Sequence, residues 1–409
     1  SAKGYAITGW TLRRTDQAGP RPAVIVAAGH AEPASLHPPY LKLALYAARC
    51  GAWVFTFDPV GQGARREVFR PEDHPVYWDP CKQHQHIGAI ATIAGHSLPH
   101  FLAHDCVTAV SFAAQQPEVD AERIGFAGQS GGGLQTFYAL AADPRLAAVV
   151  PSQATSTRRE DFLRKGRRDM CQTALGVWEQ GIDRHEMVAL FAPRPVRIMA
   201  EYGYRDSRTV FERLRPIYEA AGAGAEIELV SGGPEHVLSR PCREMVIGWF
   251  ARYLDLPDGR ATEPDWPDFD ALQQQLSEHV REVNAGGRGV VAWCAEDVQR
   301  RRPARPDAKK AVAANPYLRG AVHNRSYDVT DARGRKVRKS AAGLRYVNFA
   351  DDYRIPFRRT KGRGTDAAGA IIVDADGADS PWAKQWRRLL AGRARQVVAT
   401  DVFECGRLA

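Results

Sequence analysis

Short, mostly apolar runs alternate with helical segments along the first 255 residues, and this alternation limits the possible folds more than any other feature. Runs of four to seven residues that are apolar on both sides suit strands whose two faces are covered by helices. The sequence therefore predicts one α/β domain over residues 1–255, with a doubly wound, mostly parallel sheet. The predicted strands are residues 22–28, 52–57, 123–127, 147–150, 195–199 and 226–230.

The segment Gly128-Gln129-Ser130-Gly131-Gly132 follows a predicted strand and precedes a predicted helix, in the Gly-x-Ser-x-Gly pattern of a nucleophile elbow. A serine on so tight a turn needs glycine neighbours, because side chains would collide and glycine tolerates unusual backbone angles. The helix that begins behind Ser130 directs N–H groups and its positive dipole end towards the nucleophile. The pattern predicts Ser130 as the nucleophile and the N–H of Gly131 as an oxyanion donor.

A serine nucleophile requires a base, and in enzymes with this elbow the base follows the acid along the chain. Two histidines, His185 and His236, lie between the elbow and residue 255. His236 comes directly after the last predicted strand and before the last helix, which is the position expected for the base. His185 precedes the strand that should carry the acid, so we predict His236 as the general base.

The acid and the second oxyanion donor are predicted from the ends of two other strands. Asp206 fits the loop after the strand at 195–199, whereas Glu201 is close enough to that strand to be part of it. Asp206 is therefore the predicted acid and Glu201 the alternative. The strand at 22–28 ends at Ala28-Gly29-His30, so the backbone N–H of His30 is the second oxyanion candidate, and its side chain is a candidate for the pocket lining.

Five histidines are crowded between the second predicted strand and the elbow. Three have the i, i+4, i+8 spacing of one helix face, which raises the question of a metal site. No carboxylate or cysteine pattern completes such a site and Pro99 argues against a helix, so neither a metal nor another cofactor is predicted. The loop at 58–63 lacks a Gly-Lys-Ser/Thr signature and is predicted to shape the active-site mouth. The histidines are His84, His86, His96, His100 and His104.

Composition excludes several other classes of protein. Of the 409 residues, 44% are hydrophobic and 25% are charged, which is typical of a globular chain of two or three domains. No apolar run approaches the roughly 20 residues of a membrane-spanning helix, so no membrane partner is expected. The seven cysteines are scattered without a Cys-x-x-Cys pair, which argues against disulfides and structural zinc. Unpaired cysteines and the lack of a signal-like stretch slightly favour a cytoplasmic location.

The net charge of +9 is unevenly distributed along the chain. Residues 300–363 hold nineteen Lys/Arg and five Asp/Glu, residues 364–409 are balanced, and residues 1–299 carry a net charge of −5. A nucleic-acid-binding protein would spread its basic residues over a binding face, so no nucleic acid partner is expected. We interpret residues 300–363 as a solvated basic connecting segment, with binding of an anionic polymer or contact with an acidic surface as the alternatives.

The C-terminal region resembles an incomplete copy of the first strand–helix–strand unit. Residues 256–299 are predicted to be a linker followed by a helix at 271–282. We interpret residues 364–409 as a partial second α/β unit, and expect no catalytic group from it because it has no elbow and no base. Its predicted elements are strands at 370–377 and 396–401 and a helix at 382–390.

Five motifs of the first domain occur together and in order. They are Phe57-Asp-Pro-Val-Gly-Gln-Gly63, Pro117-Glu-Val-Asp-Ala-Glu-Arg-Ile-Gly125, Ser130-Gly-Gly-Gly133, Ala192-Pro-Arg-Pro195 and Gly233-Pro-Glu-His-Val-Leu-Ser-Arg-Pro241. Over residues 4–254 the chain thereby resembles the acetyl-xylan-esterase-like α/β-hydrolases, within the broader dienelactone-hydrolase and prolyl-oligopeptidase-like clan. The resemblance implies an α/β-hydrolase fold, Ser130 as nucleophile, His236 as base and an acid near 201–206. Some such proteins carry two hydrolase modules in tandem, which is similar to the partial repeat.

The motifs lead to the expectation of a serine carboxylic-ester hydrolase that works without a cofactor on a small ester, such as an acetylated carbohydrate. A serine peptidase or amidase with the same residues is the enzymatic alternative. A non-catalytic scaffold or binding subunit is the alternative from another class. The intact elbow and His236 favour the enzyme. The expected partner is a small-molecule ester, with homo-oligomer contacts through the basic segment left open.

Overall fold

The computed structural model describes most of the first 301 residues and four strands beyond them. The described residues are 4–17, 19–68, 79–157, 169–174, 177, 182–200, 205–259, 262–283, 289–301, 345–349, 353–361, 366–374 and 394–401. The chain divides into two compact units. The first comprises Ser1–Ile87, His96–Arg164 and Asp169–Trp293, and the second comprises Gly88–Gly95, Lys165–Arg168 and Cys294–Ala409.

Seven strands form the central sheet of the first unit. They are β1 (Gly9–Leu12), β2 (Arg21–Ala27), β3 (Trp53–Phe57), β4 (Val119–Gln129), β5 (Leu146–Ser152), β6 (Val196–Ala200) and β7 (Ile227–Ser231). Their order is β1-β3-β2-β4-β5-β6-β7, and β1 pairs antiparallel with β3 while the other neighbours are parallel. The predicted doubly wound, mostly parallel sheet is confirmed. The short edge strand β1 alternates between exposed and half-buried residues, so it lacks the apolar run that revealed the other six.

Helices cover both faces of this sheet. The helices of this part of the chain are α1 (Pro38–Arg49), α2 (Pro80–Ile93), α3 (Leu98–Ala114), α4 (Gly131–Ala142), α5 (Arg184–Ala189), α6 (Arg205–Ala220) and α7 (Arg240–Leu254), of which α1, α3, α4, α6 and α7 contact the sheet. Val24 and Val26 of β2 lie in one apolar cluster with Ala44 of α1 and Phe250 of α7. Ile25 points to the other face because successive strand residues alternate, and α3 and α4 pack there against β2 and β4. Because the buried strands are parallel, their carboxyl ends lie at one edge of the sheet. The loops at that edge carry the candidate site.

Pro99 lies in the first turn of α3, so the argument from Pro99 against a helix was wrong for His100 and His104, whereas His96 precedes the helix. Proline occupies the first turn of α3, where its missing N–H would have had no intrahelical partner and its fixed φ suits a helix. His96 and His100 stack with 5.5 Å between ring centroids, and His96 also packs against Trp293 at 5.1 Å. These histidines are therefore part of an aromatic cluster.

The stretch after α7 is expected from its sequence to be a linker. In the structure it packs tightly within the first unit. Glu263 is 3% exposed and accepts hydrogen bonds from Nε and Nη2 of Arg243, at 2.8–3.0 Å. Trp266 Nε1 also donates to Glu263 at 3.0 Å. The helix predicted at 271–282 is confirmed as α8 (Phe269–Val283), and Gln273 donates from it to the carbonyl of Leu36 at 2.6 Å. A buried ion pair and the apolar face of α8 therefore hold this stretch in place, although its sequence is polar.

The second unit contains a four-stranded sheet. Its strands are β8 (Arg345–Phe349), β9 (Tyr353–Lys361), β10 (Asp366–Asp374) and β11 (Ala394–Asp401), in the order β10-β11-β9-β8. β10 and β11 are parallel, in keeping with the strands expected at 370–377 and 396–401, while the helix expected at 382–390 lies outside the described residues. β8 and β9 form an antiparallel pair inside the segment interpreted as solvated. Tyr353, Ile355 and Phe357 have the two-residue period of a strand, which the local charge excess obscured.

Across the described residues, no helix combines the length and the apolar character that crossing a bilayer would need.

Candidate active site

Ser130 lies between β4 and α4 on a backbone turn that few residues other than glycine adopt. Its φ and ψ are 58° and −120°. The turn requires glycine on both sides, since a Cβ on Gly132 would lie 2.1 Å from the carbonyl oxygen of Ala27, and one on Gly128 would lie 2.4 Å from Gly132. The N–H of Ser130 donates to the carbonyl of Ser152 at 2.9 Å, which ties the turn to β5. This geometry is the strained strand–helix turn of a nucleophile elbow.

The structure brings His236 to Ser130, 106 residues away in sequence. Nε2 of His236 lies 2.8 Å from Oγ of Ser130, which is hydrogen-bond distance. His236 is exposed and stands in the loop between β7 and α7, as the sequence indicated. His185 is on α5, where its Nε2 lies 2.6 Å from Glu186 and 3.4 Å from Arg213. The predicted base and nucleophile are thus adjacent.

A buried network of amides, which sequence reasoning missed, supports the His236 loop. Nε2 of Gln153 donates to the carbonyl of Glu235 at 2.9 Å and lies 3.3 Å from those of Gly232 and Val237. Its Oε1 accepts from Nε2 of Gln129 at 2.7 Å.

The same network reaches the helix α1 through Gln129, the residue that precedes Ser130. Tyr40 donates from its hydroxyl to Oε1 of Gln129 at 2.8 Å. Gln129 and Gln153 are buried, and Gln153 has a φ of 49° directly after β5. The one sequence signal was Gln129, a polar residue inside an otherwise apolar strand end. The network links the elbow to the histidine loop.

The predicted acid stands at the start of a helix next to the site. Asp206 is the second residue of α6, which follows β6 after residues 201–204. Oγ of the neighbouring Ser207 is buried and donates to the carbonyl of Thr155 at 3.1 Å, so this end of α6 lies against the loop after β5. The alternative acid Glu201 lies outside the described residues. The assignment of the acid therefore stays a prediction.

The two predicted oxyanion donors lie side by side. The first N–H groups of α4 have no intrahelical partner, and Gly131 is its first residue. A Cβ on Gly131 would lie 3.4 Å from the backbone N of His30 and 3.2 Å from its ring. A Cβ on Gly29 would lie 3.2 Å from the Cβ of Ser130. The backbone of both segments thus borders Ser130.

The loop at 58–63 holds the His30 segment in position. Oε1 of Gln62 accepts from the N–H of Ala31 at 2.9 Å. Buried Asp58 fixes the loop itself, because it accepts from Oγ of Ser35 at 2.6 Å and from Oγ1 of Thr8 at 2.9 Å. The role of this loop in shaping the active-site mouth stays a prediction.

Two of the five crowded histidines, His84 and His86, lie on α2. His84 of α2 lies beside His30, with 2.9 Å between its Nδ1 and Nε2 of His30, and Cys171 is adjacent. Burial lowers the pKa of both imidazoles, that of His84 to about 3, so both rings are neutral at neutral pH. His86 is bonded to its own helix, through Nδ1 at 2.7 Å from the carbonyl of Lys82.

Comparison with known proteins identifies related families. A family model described as acetyl xylan esterase matches residues 1–155, and the prolyl oligopeptidase family model matches residues 99–212. A search of curated proteins finds no significant match.

Among solved structures, a methylesterase is 19% identical, with a TM-score of 0.54, and the match covers 76% of this chain and 64% of that one. An acetyl xylan esterase from Paenibacillus sp. R4 is 17% identical, with a TM-score of 0.42 and coverage of 62% and 81%. A glucuronoyl esterase from Caldicellulosiruptor kristjansonii is 15% identical, with a TM-score of 0.42 and coverage of 65% and 78%. This chain therefore spans less than two thirds of the length of the methylesterase.

The superposition on the methylesterase establishes the α/β-hydrolase fold. Within that fold, residues 1–155 are similar to the acetyl xylan esterase family, which agrees with the ester hydrolase class that the sequence predicted. The predicted resemblance to acetyl-xylan-esterase-like and prolyl-oligopeptidase-like hydrolases is likewise confirmed.

Proposed function

We propose that this chain hydrolyses carboxylic esters through an acyl-enzyme on Ser130, with His236 as general base and Asp206 as the acid. The observation that carries the proposal is the 2.8 Å contact between Nε2 of His236 and Oγ of Ser130 on a strained elbow. Glu201 remains the alternative acid. The position of Asp206 after β6, the strand next to β7, favours it because the loops after neighbouring parallel strands meet at one edge.

The proposed reaction has two halves. His236 takes the proton of Ser130 as Oγ attacks the ester carbonyl, and it then gives that proton to the leaving alcohol. Water then attacks the acyl-enzyme with His236 again as base. This half releases the carboxylic acid product and regenerates Ser130. The N–H groups of Gly131 and His30 stabilise the negative oxygen formed in each half, where removal of one such donor costs about 10²–10³ in kcat.

An acetyl ester of a carbohydrate is the proposed substrate class. The match of residues 1–155 to the acetyl xylan esterase family supports this choice. The exposure of His236 also supports it, since the base must protonate a leaving alcohol, and a base at the surface can reach the hydroxyl of a large sugar. No part of this proposal requires a cofactor.

A serine peptidase or amidase is the second candidate, because the prolyl oligopeptidase family model matches residues 99–212, which include the elbow. The two candidates differ in the bond that they cleave. Parallel kinetics with p-nitrophenyl acetate, acetylated xylo-oligosaccharides and the matching p-nitroanilides would separate them. We expect ester turnover to exceed amide turnover by orders of magnitude, and faster amide cleavage would favour the second candidate.

Loss of the nucleophile gives the direct test of the mechanism. Ser130→Ala should lower kcat/KM for p-nitrophenyl acetate by about 10⁴-fold or more and abolish labelling by a fluorophosphonate. Ser239→Ala is the matched control, since Ser239 precedes α7 outside the elbow and should leave both readouts unchanged. If wild-type protein neither labels nor hydrolyses any of these esters, a non-catalytic scaffold becomes the better reading.

A further inference from the structure

Three side chains of the kinds that bind transition metals meet beside the elbow. Nε2 of His30 lies 2.9 Å from Nδ1 of His84 and 3.6 Å from Sγ of Cys171. The three atoms all lie within 4.8 Å of one another. They come from the loop after β2, from α2 and from the 3-10 helix Met170–Gln172, so only the tertiary fold brings them together.

The orientation of His84 is that of a metal ligand. Its Nε2 lies 2.8 Å from the carbonyl oxygen of Val60. A carbonyl oxygen only accepts hydrogen bonds, so Nε2 carries the proton and Nδ1 presents its lone pair to His30. Histidines that bind metals generally donate their other ring N–H to a carboxylate or a backbone carbonyl, which fixes the tautomer in this way.

The surroundings favour a cation at this point. His84 and Cys171 are at most 2% exposed, so two of the three ligand atoms are shielded from solvent. The carboxylate of Asp169 is close to His30, and a metal-ligating set of His30, Cys81 and Asp169 also falls within 4.8 Å. Asp169 would offset part of the charge of an ion bound by a thiolate.

We propose that Nε2 of His30, Nδ1 of His84 and Sγ of Cys171 form a binding site for Zn²⁺. In a tetrahedral zinc site, the usual bond lengths place two nitrogen ligands about 3.3 Å apart and a nitrogen and a sulfur about 3.6 Å apart. The contact between the two histidines needs to widen by a few tenths of an ångström, and that between His30 and Cys171 already fits. The fourth position is open to water or to Asp169.

Binding balances as a simple proton exchange. The thiol proton of Cys171 leaves to solvent and the thiolate binds the ion. The proton on Nε2 of His30, which in the metal-free protein points to His84, is carried on Nδ1 when Nε2 binds the ion. No oxidation or reduction takes place.

The overlapping set with Cys81 and Asp169 fits less well. The thiol of Cys81 already interacts with the carboxylates of Asp79 and Asp169, and ligation would break those interactions. In contrast, Sγ of Cys171 points directly at Nε2 of His30. The structure therefore assigns Cys171, and not Cys81, as the sulfur ligand, and this choice separates the two cysteines experimentally.

The site would couple the ion to the oxyanion donors. A Cβ on Gly131 would lie 3.2 Å from Nδ1 of His30, so this edge of the ring faces the first turn of α4. With Zn²⁺ on Nε2, the ion ties the His30 loop to α2. The bound ion would act as a clamp on the loop that carries one oxyanion donor.

The test uses the full chain, stripped with a chelator and dialysed. Zn²⁺ binding is measured as metal per chain by mass spectrometry after gel filtration, and Co²⁺ is added as a spectroscopic probe. We expect one ion per chain, a thiolate-to-cobalt charge-transfer band, and a Tm that rises with free Zn²⁺. The variants are Cys171→Ser, His84→Gln, which keeps a donor for Val60 while it removes the Nδ1 ligand, and Cys81→Ser as the neighbouring cysteine control.

Cys171→Ser should abolish the charge-transfer band, and both ligand variants should weaken Zn²⁺ binding by about 100-fold or more. Cys81→Ser should bind within threefold of the wild type. Circular dichroism and Tm without metal show whether each variant is folded, and Cys171→Ala serves if the serine variant is not. Substoichiometric binding in the wild type, unchanged binding in both ligand variants, or loss of the band in Cys81→Ser would each overturn the proposal. These readouts do not depend on hydrolysis, so they stand apart from the proposed activity.

Discussion

Replacement of Gln153 by methionine tests whether the buried amide network positions His236, the proposed general base. Methionine has a similar length and no amide, so the hydrogen bonds from Gln153 to the His236 loop are lost while the core stays filled. Three carbonyls surround Nε2, at 2.9, 3.3 and 3.3 Å, but an NH₂ group has two protons. At most two good hydrogen bonds are therefore lost, each with a net value of about 1 kcal/mol.

About 2 kcal/mol of lost positioning corresponds to about a 30-fold fall in kcat, since every 1.36 kcal/mol changes a rate tenfold. The amide of Gln129 also loses its acceptor, which should lower the free energy of unfolding by about 1–3 kcal/mol. KM should change little, because Gln153 is buried and does not face substrate.

The assay is steady-state hydrolysis of p-nitrophenyl acetate together with the rate of fluorophosphonate labelling, and both should fall in parallel. Gln115→Met is the matched control, since Gln115 is exposed at the end of α3. A folded Gln153→Met variant with reduced stability and wild-type kcat would show that the network only stabilises the fold, and the positioning argument would be wrong.

Three further predictions concern the acid, the buried ion pair and pH. Asp206→Asn should lower kcat by about 10⁴-fold, whereas Glu201→Gln should change it little; the reverse result in the same ester assay would move the acid to Glu201. Glu263→Ala should lower the free energy of unfolding by about 3–5 kcal/mol in urea titrations, because it leaves Arg243 buried without its partner, and a loss below 1 kcal/mol would contradict this. The pKa of His84 falls from 6.5 in the unfolded chain to about 3 in the fold, so the unfolded chain binds more protons and stability should drop as pH falls from 6.5 towards 3. His84→Gln should make that decline shallower in urea titrations at pH 7.5 and 5 with chelator present; equal slopes would contradict the burial argument.

The fold could be predicted because its signal is local and repeated. Each parallel strand of the first unit is a short apolar run, and the order of elbow, strand and histidine loop follows from chain direction. The sequence did not predict the edge strand β1 or the pair β8–β9. The alternation of apolar and polar residues is weak in β1 and is obscured by charged residues in β8–β9. Glu263 escaped for a different reason: its partner Arg243 is 20 residues away, and no local pattern shows that a charged residue will be buried.

Some residues of the candidate site can be predicted from local motifs, whereas others are brought together only by the tertiary fold. Ser130 and Gly131 follow from one motif, and His236 follows from its place after β7. Gln153 has no motif, because its function depends on three carbonyls that only the folded loop presents. The meeting of His30 with His84 is likewise a product of the fold, since 54 residues separate them and no ligand spacing links them.

The buried contact of Glu263 with Arg243 also bears on how the chain folds as it is made. A growing chain acquires its N-terminal elements first, at about 5–20 residues per second. When α7 has just been synthesised, Arg243 has an apolar environment and no anion, and Glu263 follows about 1–4 s later by the same rate. Until then, the helix that closes one face of the sheet should be in fast exchange with open forms. The first unit would therefore mature in a discrete late step that depends on sequence downstream of the elbow and the histidine loop, and purified chains that end at 258 and at 290 should differ sharply in protease resistance.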